Sequence, residues 1–310
     1  ILDGNEAGRV FFIRPTAVVT LTHLTIQHGR LLTNSTSCLD VCGGGIFIDG
    51  EASVTLQDSL LRNNFASSGG AILNSGSLHI INSELSYNRA YYDGAGIRHT
   101  GALTIQHSNL LSNTSQNYYG GVIFTEGGTI SVTESTFAYN QAVRGGVFAD
   151  NNGTDFYIEN STFAHNQATN QGGVLYSDLF GFIPLTNSIE IYNSTFSNNT
   201  AQPNGGTLFV SANLSVSTFM TLTHVTLADN SGGLIANADE TSIASITMQN
   251  SLIARSADAN CVGVSGDSYN LSDDDSCTGF SQQTPAFLGN LANNGGPTQT
   301  HLPLTGSLAI

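Results

Sequence analysis

One pattern recurs along this chain and leaves it little choice of fold. FAYNQAVRGGVF at residues 137–148 returns almost unchanged as FAHNQATNQGGVL at residues 163–175. With serine as the marker, Ser59, Ser83, Ser108, Ser135 and Ser161 follow one another at 24, 25, 27 and 26 residues; Ser194 and Ser251 extend the series. Two residues beyond each marker stands a large apolar side chain: Leu61, Leu85, Leu110, Phe137, Phe163, Phe196 and Ile253. Three further on come Asn64, Asn88, Asn113, Asn140, Asn166 and Asn199, with Ser256 in the last slot. Val225, Leu227 and Asn230 fill these slots in another copy, and Leu24, Ile26 and Gly29 in the first, making nine copies. Residues 30–43, 179–188 and 209–219 are insertions between them.

Upstream of each marker the sequence alternates with period two, the mark of a half-buried strand. Val54/Leu56, Leu78/Ile80, Leu103/Ile105, Ile130/Val132, Phe156/Ile158, Ile189/Ile191, Met220/Leu222 and Ile246/Met248 are the apolar set, with Thr and Gln beside them. Downstream of the asparagine comes a glycine pair, such as Gly69-Gly70 or Gly145-Gly146, and a second apolar strand. No helical period is evident. Copies of about 25 residues, unable to bury an apolar face alone, stack into one continuous core. The fold class is therefore all-β, a right-handed parallel β-helix of about nine coils. Equivalent residues then lie one rung apart, about 4.8 Å. Leu/Phe forms an apolar column, and Asn64, Asn88, Asn113, Asn140, Asn166, Asn199 and Asn230 an amide ladder that satisfies backbone groups at a corner. Glycine serves a corner of positive φ or close backbone approach. Residues 1–256 are assigned to the repeats, and residues 257–310 to a C-terminal segment that caps or continues them.

Composition narrows the function. The formal net charge is −15, and the eight basic residues are all Arg, so no basic stripe is available to neutralise phosphates and no nucleic-acid partner is expected. The longest purely apolar run is Val10 to Ile13, too short to span a membrane. The chain opens without a signal peptide, which for a secreted-looking sequence suggests a mature or trimmed product. Cys38 and Cys42, and Cys261 and Cys277, form two local pairs. Their spacings match no zinc pattern and no His stands nearby, so disulfides and an extracellular or cell-surface setting are expected.

The GGAI motif at 69–72, its variants GGVI, GGVF and GGVL, and the FxxN motif at 137–140, 163–166 and 196–199 resemble the repeats of the polymorphic outer-membrane proteins. The resemblance covers roughly residues 20–256 and implies a bacterial surface-displayed β-helix with an adhesive role. The tail GNLANNGGPTQTHLPLTGSLAI, residues 289–310, resembles the end of β-helix domains in bacterial secreted surface proteins of the choice-of-anchor type. That resemblance implies export and attachment to the cell surface, and such domains carry a Cys pair where Cys261 and Cys277 stand.

β-Helices also include pectin lyases and polygalacturonases, whose chemistry needs acidic groups held close together. Counted from the glycine pair, one column reads Asp49, Asn74, His99, Thr125, Asp150, Ser177, Val210, Asn237, with its two Asp four rungs apart, roughly 19 Å. That exceeds the ~6.5–9.5 Å between the carboxylates of an inverting hydrolase. Glu126 and Asp178 in the adjoining column, with Asp150 between them, make the best acid cluster, although a solvated polar face is the simpler account. HG at 28–29 and DDDS at 273–276 are fragments of polygalacturonase motifs at opposite ends of the solenoid, with no Lys to follow them. Asp273, Asp274 and Asp275 offer oxygens to Ca²⁺ without an EF-hand spacing, and no cofactor or metal is expected. Tyr91-Tyr92 and Tyr118-Tyr119 fall at matching corners of adjacent rungs, where Tyr92 and Tyr118 can stack on sugar rings. His23, His107 and His224 share a column but stand too far apart to ligate a metal. Of the eight N-x-S/T sequons, the one at Asn113 falls on the ladder, where a glycan would break the fold.

The expected function is that of a non-enzymatic, extracellular structural or adhesive surface protein. Its partners would be other cell-surface components, or further copies of itself joined head to tail into a filament or sheath. The alternative is a β-helix that binds or degrades polysaccharide.

Overall fold

The computed structural model describes the chain except residues 32–37, 181–185, 203–204, 215, 239–240, 265, 267–268 and 310. One winding shows how the whole is built. Thr129–Thr133 lies on a first face, Thr136–Ala138 on a second and Phe148–Asp150 on a third, with the short strand Gln141–Ala142 between the last two. The chain re-enters the first face at Asp155–Glu159, paired in parallel so that Ile130 faces Phe156 and Val132 faces Ile158. Repetition gives, among the described residues, parallel sheets of nine strands on face 1, twelve on face 2 and ten on face 3, plus five short strands. This is a right-handed parallel β-helix.

The corners explain the repeat. In this winding Glu134, Tyr139 and Gly145 all have positive φ, at 49°, 60° and 66°. The residue before each marker serine (Asp58, Asn82, His107, Asn160, Asn193) and before each ladder asparagine (Asn63, Tyr87, Ser112, His165, Asn198) does the same. Such a conformation costs an L-residue about 1–2 kcal/mol, so surrounding bonds must hold it. The two glycines of a pair serve different needs. Gly145 supplies the positive φ, and a Cβ there would fall 2.0 Å from Phe148 O. Gly146 has ordinary φ, but its Cβ would fall 2.1 Å from Gly173 O of the next winding.

Two hydrogen-bond ladders run up the stack beside these corners. Asn113 N and Nδ2 donate to Asn140 Oδ1 at 2.9 and 3.1 Å, and Asn140 Nδ2 donates to Leu110 O at 2.8 Å. The same bonds recur from Asn64 to Asn230. Each amide thus ties together three windings. The marker serines form a second ladder. Ser83 N donates to Ser108 Oγ and Ser108 N to Ser135 Oγ, both at 3.1 Å, while each hydroxyl donates to the carbonyl two residues before it.

Inside, Phe137, Phe163 and Phe196 are fully buried and stack nearly parallel, with centroids 5.0 and 4.8 Å apart. The alternating residues of face 1 and Ile72, Ile97, Ile123, Phe148 and Leu175 of face 3 complete one core. Burying each such side chain contributes about 1.5–3 kcal/mol.

Face 3 is largely buried on both sides. Its outer column runs Phe47, Leu73, Arg98, Phe124, Ala149, Tyr176, Phe209, Ile235. The helical turn Cys38–Val41, closed by the Cys38–Cys42 disulfide, packs over Phe47 and Leu73. The second disulfide joins Cys261 and Cys277.

Beyond residue 256 the strands Cys261–Val262, Leu271–Ser272 and Ser281–Gln282 add to faces 3 and 2. The chain then turns back. An antiparallel hairpin, Leu288–Ala292 with Thr300–Pro303, lies along the outside of face 2. Thr162 Oγ1 donates to Gln299 O at 2.6 Å, Thr298 Oγ1 donates to Asn160 O, and buried His301 sits 2.9 Å from Ser197 Oγ. Ala164, Ser197, Ala228 and Ala254 on this flank are small and buried, leaving room for the hairpin.

Candidate functional site

Loops stand out at the corner before face 3, just ahead of the positive-φ glycines, and the two successive loops before Gly94 and Gly120 carry tyrosine doublets. Tyr91 N and Tyr92 N donate to Ala66 O and Ser67 O at 3.0 and 2.8 Å, and Gly94 N to Tyr119 O at 2.9 Å, so the loops are stacked like the strands. Asn117 Nδ2 donates to Tyr91 O, and Ser115 Oγ to Tyr92 O. Tyr91, Tyr92 and Tyr118 are 45%, 43% and 49% exposed. Tyr92 and Tyr118 lie 5.7 Å apart and Tyr91 meets Tyr92 edge-on at 4.7 Å, so three rings make one exposed patch. Tyr119 turns the other way. It stacks on Phe124 and Tyr176 of the outer column at 5.9 and 6.0 Å, under Arg144.

The acidic residues do not meet on one surface. Glu126 accepts from Arg98 Nη2 and Nε at 2.5 and 3.0 Å, and Arg98 lies over Phe124. Asp178 accepts from Tyr176 Oη at 2.7 Å, and burial together with this bond holds the Tyr176 hydroxyl above its usual range. Asp150 points into the solenoid, since it lies two residues from core Phe148 on the same strand. It accepts from Asn152 N and Thr154 N at 3.2 Å, Ser177 Oγ at 3.2 Å and Asn187 Nδ2 at 3.1 Å.

The column containing Asp150 needs two corrections. Ile48, not Asp49, pairs with Asn74, and Ala236, not Asn237, follows Val210. Backbone pairing rather than the count from glycine sets register, and a one-residue slip moves a side chain to the opposite face. In Gly43-Gly44-Gly45 the positive-φ glycine is Gly43, so counting from Gly45 lands one residue late.

His99 and Asp150 in this buried column titrate in opposition. Burial lowers His99 from 6.5 to about 4 and raises Asp150 from 3.8 to about 6. His99 therefore withdraws stability as pH falls from 6.5 to 4. Asp150 gives stability that is full below 3.8 and lost as pH rises to 6. Asp150→Asn removes the second effect, and Asn187, whose Oδ1 has no partner among the described residues, can turn its amide to suit. The variant is expected to gain about 2–3 kcal/mol at pH 7 and to become more stable as pH rises between 4 and 6.5. Urea midpoints across that range test this. A less stable variant at pH 7 would mean that the carboxylate's hydrogen bonds outweigh its burial.

Other candidate groups are engaged within the fold. Asp93 accepts from Tyr119 N at 3.2 Å; burial raises it to about 6, with Arg98 opposing and Glu126 adding to the rise. Asp273 accepts from Arg255 N and Asn260 Nδ2 at 2.7 and 3.0 Å. Asp274 accepts from Ser276, Asn260 N and Ser272; burial works to raise it, and these bonds outweigh burial to lower it. Among the described residues no three His, Cys, Asp or Glu side chains converge as a metal site requires.

The marker serine's ladder role was open to reading, because one hydroxyl recurs at a fixed place in every strand-corner-strand unit. Arg98 was also visible, as the one charge in an otherwise apolar column. A protein-family model described as Right handed beta helix region matches residues 44–217, more than half of the chain. No curated protein and no solved structure matches it.

Proposed function

The chain belongs to the right-handed β-helix family, and on that premise we propose that it is an extracellular, surface-associated protein that holds polysaccharide and works by adhesion rather than catalysis. The carrying observation is the exposed patch of Tyr91, Tyr92 and Tyr118 on stacked loops whose backbones are fixed by neighbouring windings. Rigid aromatic rings presented on a preorganised frame bind sugar faces at little entropic cost. The acids argue the same way, because Glu126 and Asp178 each have a protein partner and Asp150 lies inside. Both disulfides suit an oxidising exterior.

The test is retention on a panel of insoluble polysaccharides, followed by titration with soluble oligomers of the one retained. Tyr92→Ala and Tyr118→Ala are each expected to weaken binding about tenfold, or ~1.4 kcal/mol, with unchanged circular dichroism. Wild-type affinity in the double variant would refute the assignment. Depolymerisation abolished by Glu126→Gln and by Asp178→Asn would replace it with an enzymatic one.

A further inference from the structure

Face 1 presents a mostly Thr/Ser/Gln outer surface, broken by His79 and Ile81 in one winding and by a charged patch that spans two others. Along its two outward columns most windings carry Thr, Ser or Gln, as with Thr104/Gln106, Ser131/Thr133 and Thr221/Thr223. Two adjacent windings differ. Tyr157 and Glu159 stand on one strand, Glu190 and Tyr192 on the next, with Tyr157 paired to Glu190 and Glu159 to Tyr192. The result is a checkerboard of two rings and two carboxylates.

The geometry is tied down by the residues themselves. Tyr157 Oη donates to Glu159 Oε2 at 2.8 Å and Tyr192 Oη to Glu190 Oε2 at 3.2 Å. The ring centroids lie 5.6 Å apart. Asp155, the exposed first residue of the same strand, accepts from Ser188 N at 2.9 Å. Beside them lies a shallow depression of about 360 Å³, edged by Thr104, Ser131, Asp155, Tyr157, Ser188 and Glu190.

Charge selects the ligand. The nine strands of face 1 contain no Arg, the chain contains no Lys, and Asp155, Glu159 and Glu190 are the only acidic residues in those strands. Three carboxylates gathered where the repeat otherwise places neutral residues make a local negative patch, which complements a cationic ligand. Paired rings suit a pyranose face, and the flanking hydroxyls suit sugar hydroxyls.

We propose that Tyr157, Tyr192, Glu159, Glu190 and Asp155 form a second glycan site, selective for a cationic polymer of unacetylated amino sugar. The rings stack on sugar faces and the carboxylates pair with the ammonium groups. This site is separate from the tyrosine corner and does not depend on it.

The probe is a soluble oligomer of β-1,4-linked glucosamine, titrated calorimetrically at mildly acidic pH where its amines are protonated. Its fully N-acetylated counterpart serves as the comparison. Wild type should bind the first at least tenfold more tightly, and salt should weaken that binding. Tyr157→Ala with Tyr192→Ala, and separately the near-isosteric Glu159→Gln with Glu190→Gln, should each weaken it tenfold or more. Tyr92→Ala with Tyr118→Ala should leave it unchanged, which separates failure here from failure of the corner site. Absent binding, equal affinity for the acetylated oligomer, or insensitivity to either pair of changes overturns the proposal. A third arm uses oligolysine. If it binds in a manner sensitive only to the glutamate changes while the glucosamine oligomer does not bind, the patch is a basic-polypeptide surface and the proposal fails.

Discussion

Phe163→Ala is expected to destabilise the protein by about 3–5 kcal/mol. Phe163 is fully buried, sandwiched between Phe137 and Phe196 at 5.0 and 4.8 Å, with Phe148 a further 5.8 Å away. Truncation removes the transfer energy of the ring, leaves a cavity in a stack fixed by backbone pairing above and below, and loses three aromatic contacts of about 0.5–1.5 kcal/mol each. Phe163→Leu should cost only about 1 kcal/mol, since Leu occupies the same column at 61, 85, 110 and 227. Because a solenoid winding contacts chiefly its neighbours, the damage should be local. Amide exchange should speed up most between residues 137 and 199 and least near residue 60. A truncation costing under 1 kcal/mol, or exchange raised uniformly along the chain, would show that this column is not the packed spine described.

Asn199→Ala should cost nearly as much, about 3–4 kcal/mol, although it removes no apolar surface. Asn199 Oδ1 accepts from Asn166 N and Nδ2 at 3.0 and 2.9 Å, and its Nδ2 donates to Phe163 O at 2.9 Å. Alanine leaves the buried Asn166 N–H without its acceptor, at about 1–3 kcal/mol, and removes the side-chain donors to Phe163 O and Asn230 Oδ1, at about 0.5–1.5 kcal/mol each. Asn199→Asp keeps the acceptor but loses the donor and buries a charge. Its folded-state pKa must rise, so its stability should be best in acid and fall as pH increases. The adjacent Asn198 is the control, because it holds a positive φ of 55° and its amide donates to Ser197 Oγ. Asn198→Ala should cost about 1 kcal/mol, the difference between asparagine and alanine in that conformation. Denaturant titration of the two variants reads the contrast directly, and similar losses would contradict the ladder's importance.

Face 1, and face 2 where the hairpin does not cover it, were legible because each has one wet side, so alternation reveals which residues turn inward. Val132 stands out between Ser131 and Thr133, and Ile158 between Tyr157 and Glu159. Face 3 was not legible by that rule. In Val147-Phe148-Ala149-Asp150 the outer side is covered by loops and the inner side includes a buried carboxylate, so neither polarity nor period marks the faces. At the candidate site the tyrosine doublets could be seen, but not their division into the exposed ring of Tyr118 and the inward ring of Tyr119. That division depends on Phe124 and Tyr176, which only register brings beneath it. The fold-back of residues 288–303 was hidden for a similar reason. Thr162 and Gln299 are 137 residues apart, and nothing local in either stretch signals the other.

That fold-back changes how the molecule comes apart. A stack of windings normally frays from its ends, one turn at a time. Here the hairpin runs back over the outside and fastens to Asn160, Thr162, Ser197 and Arg255, tying together three of the four successive turns it spans. Unravelling from the C-terminal side must therefore begin by peeling off this strap, so the terminal turns open together or not at all.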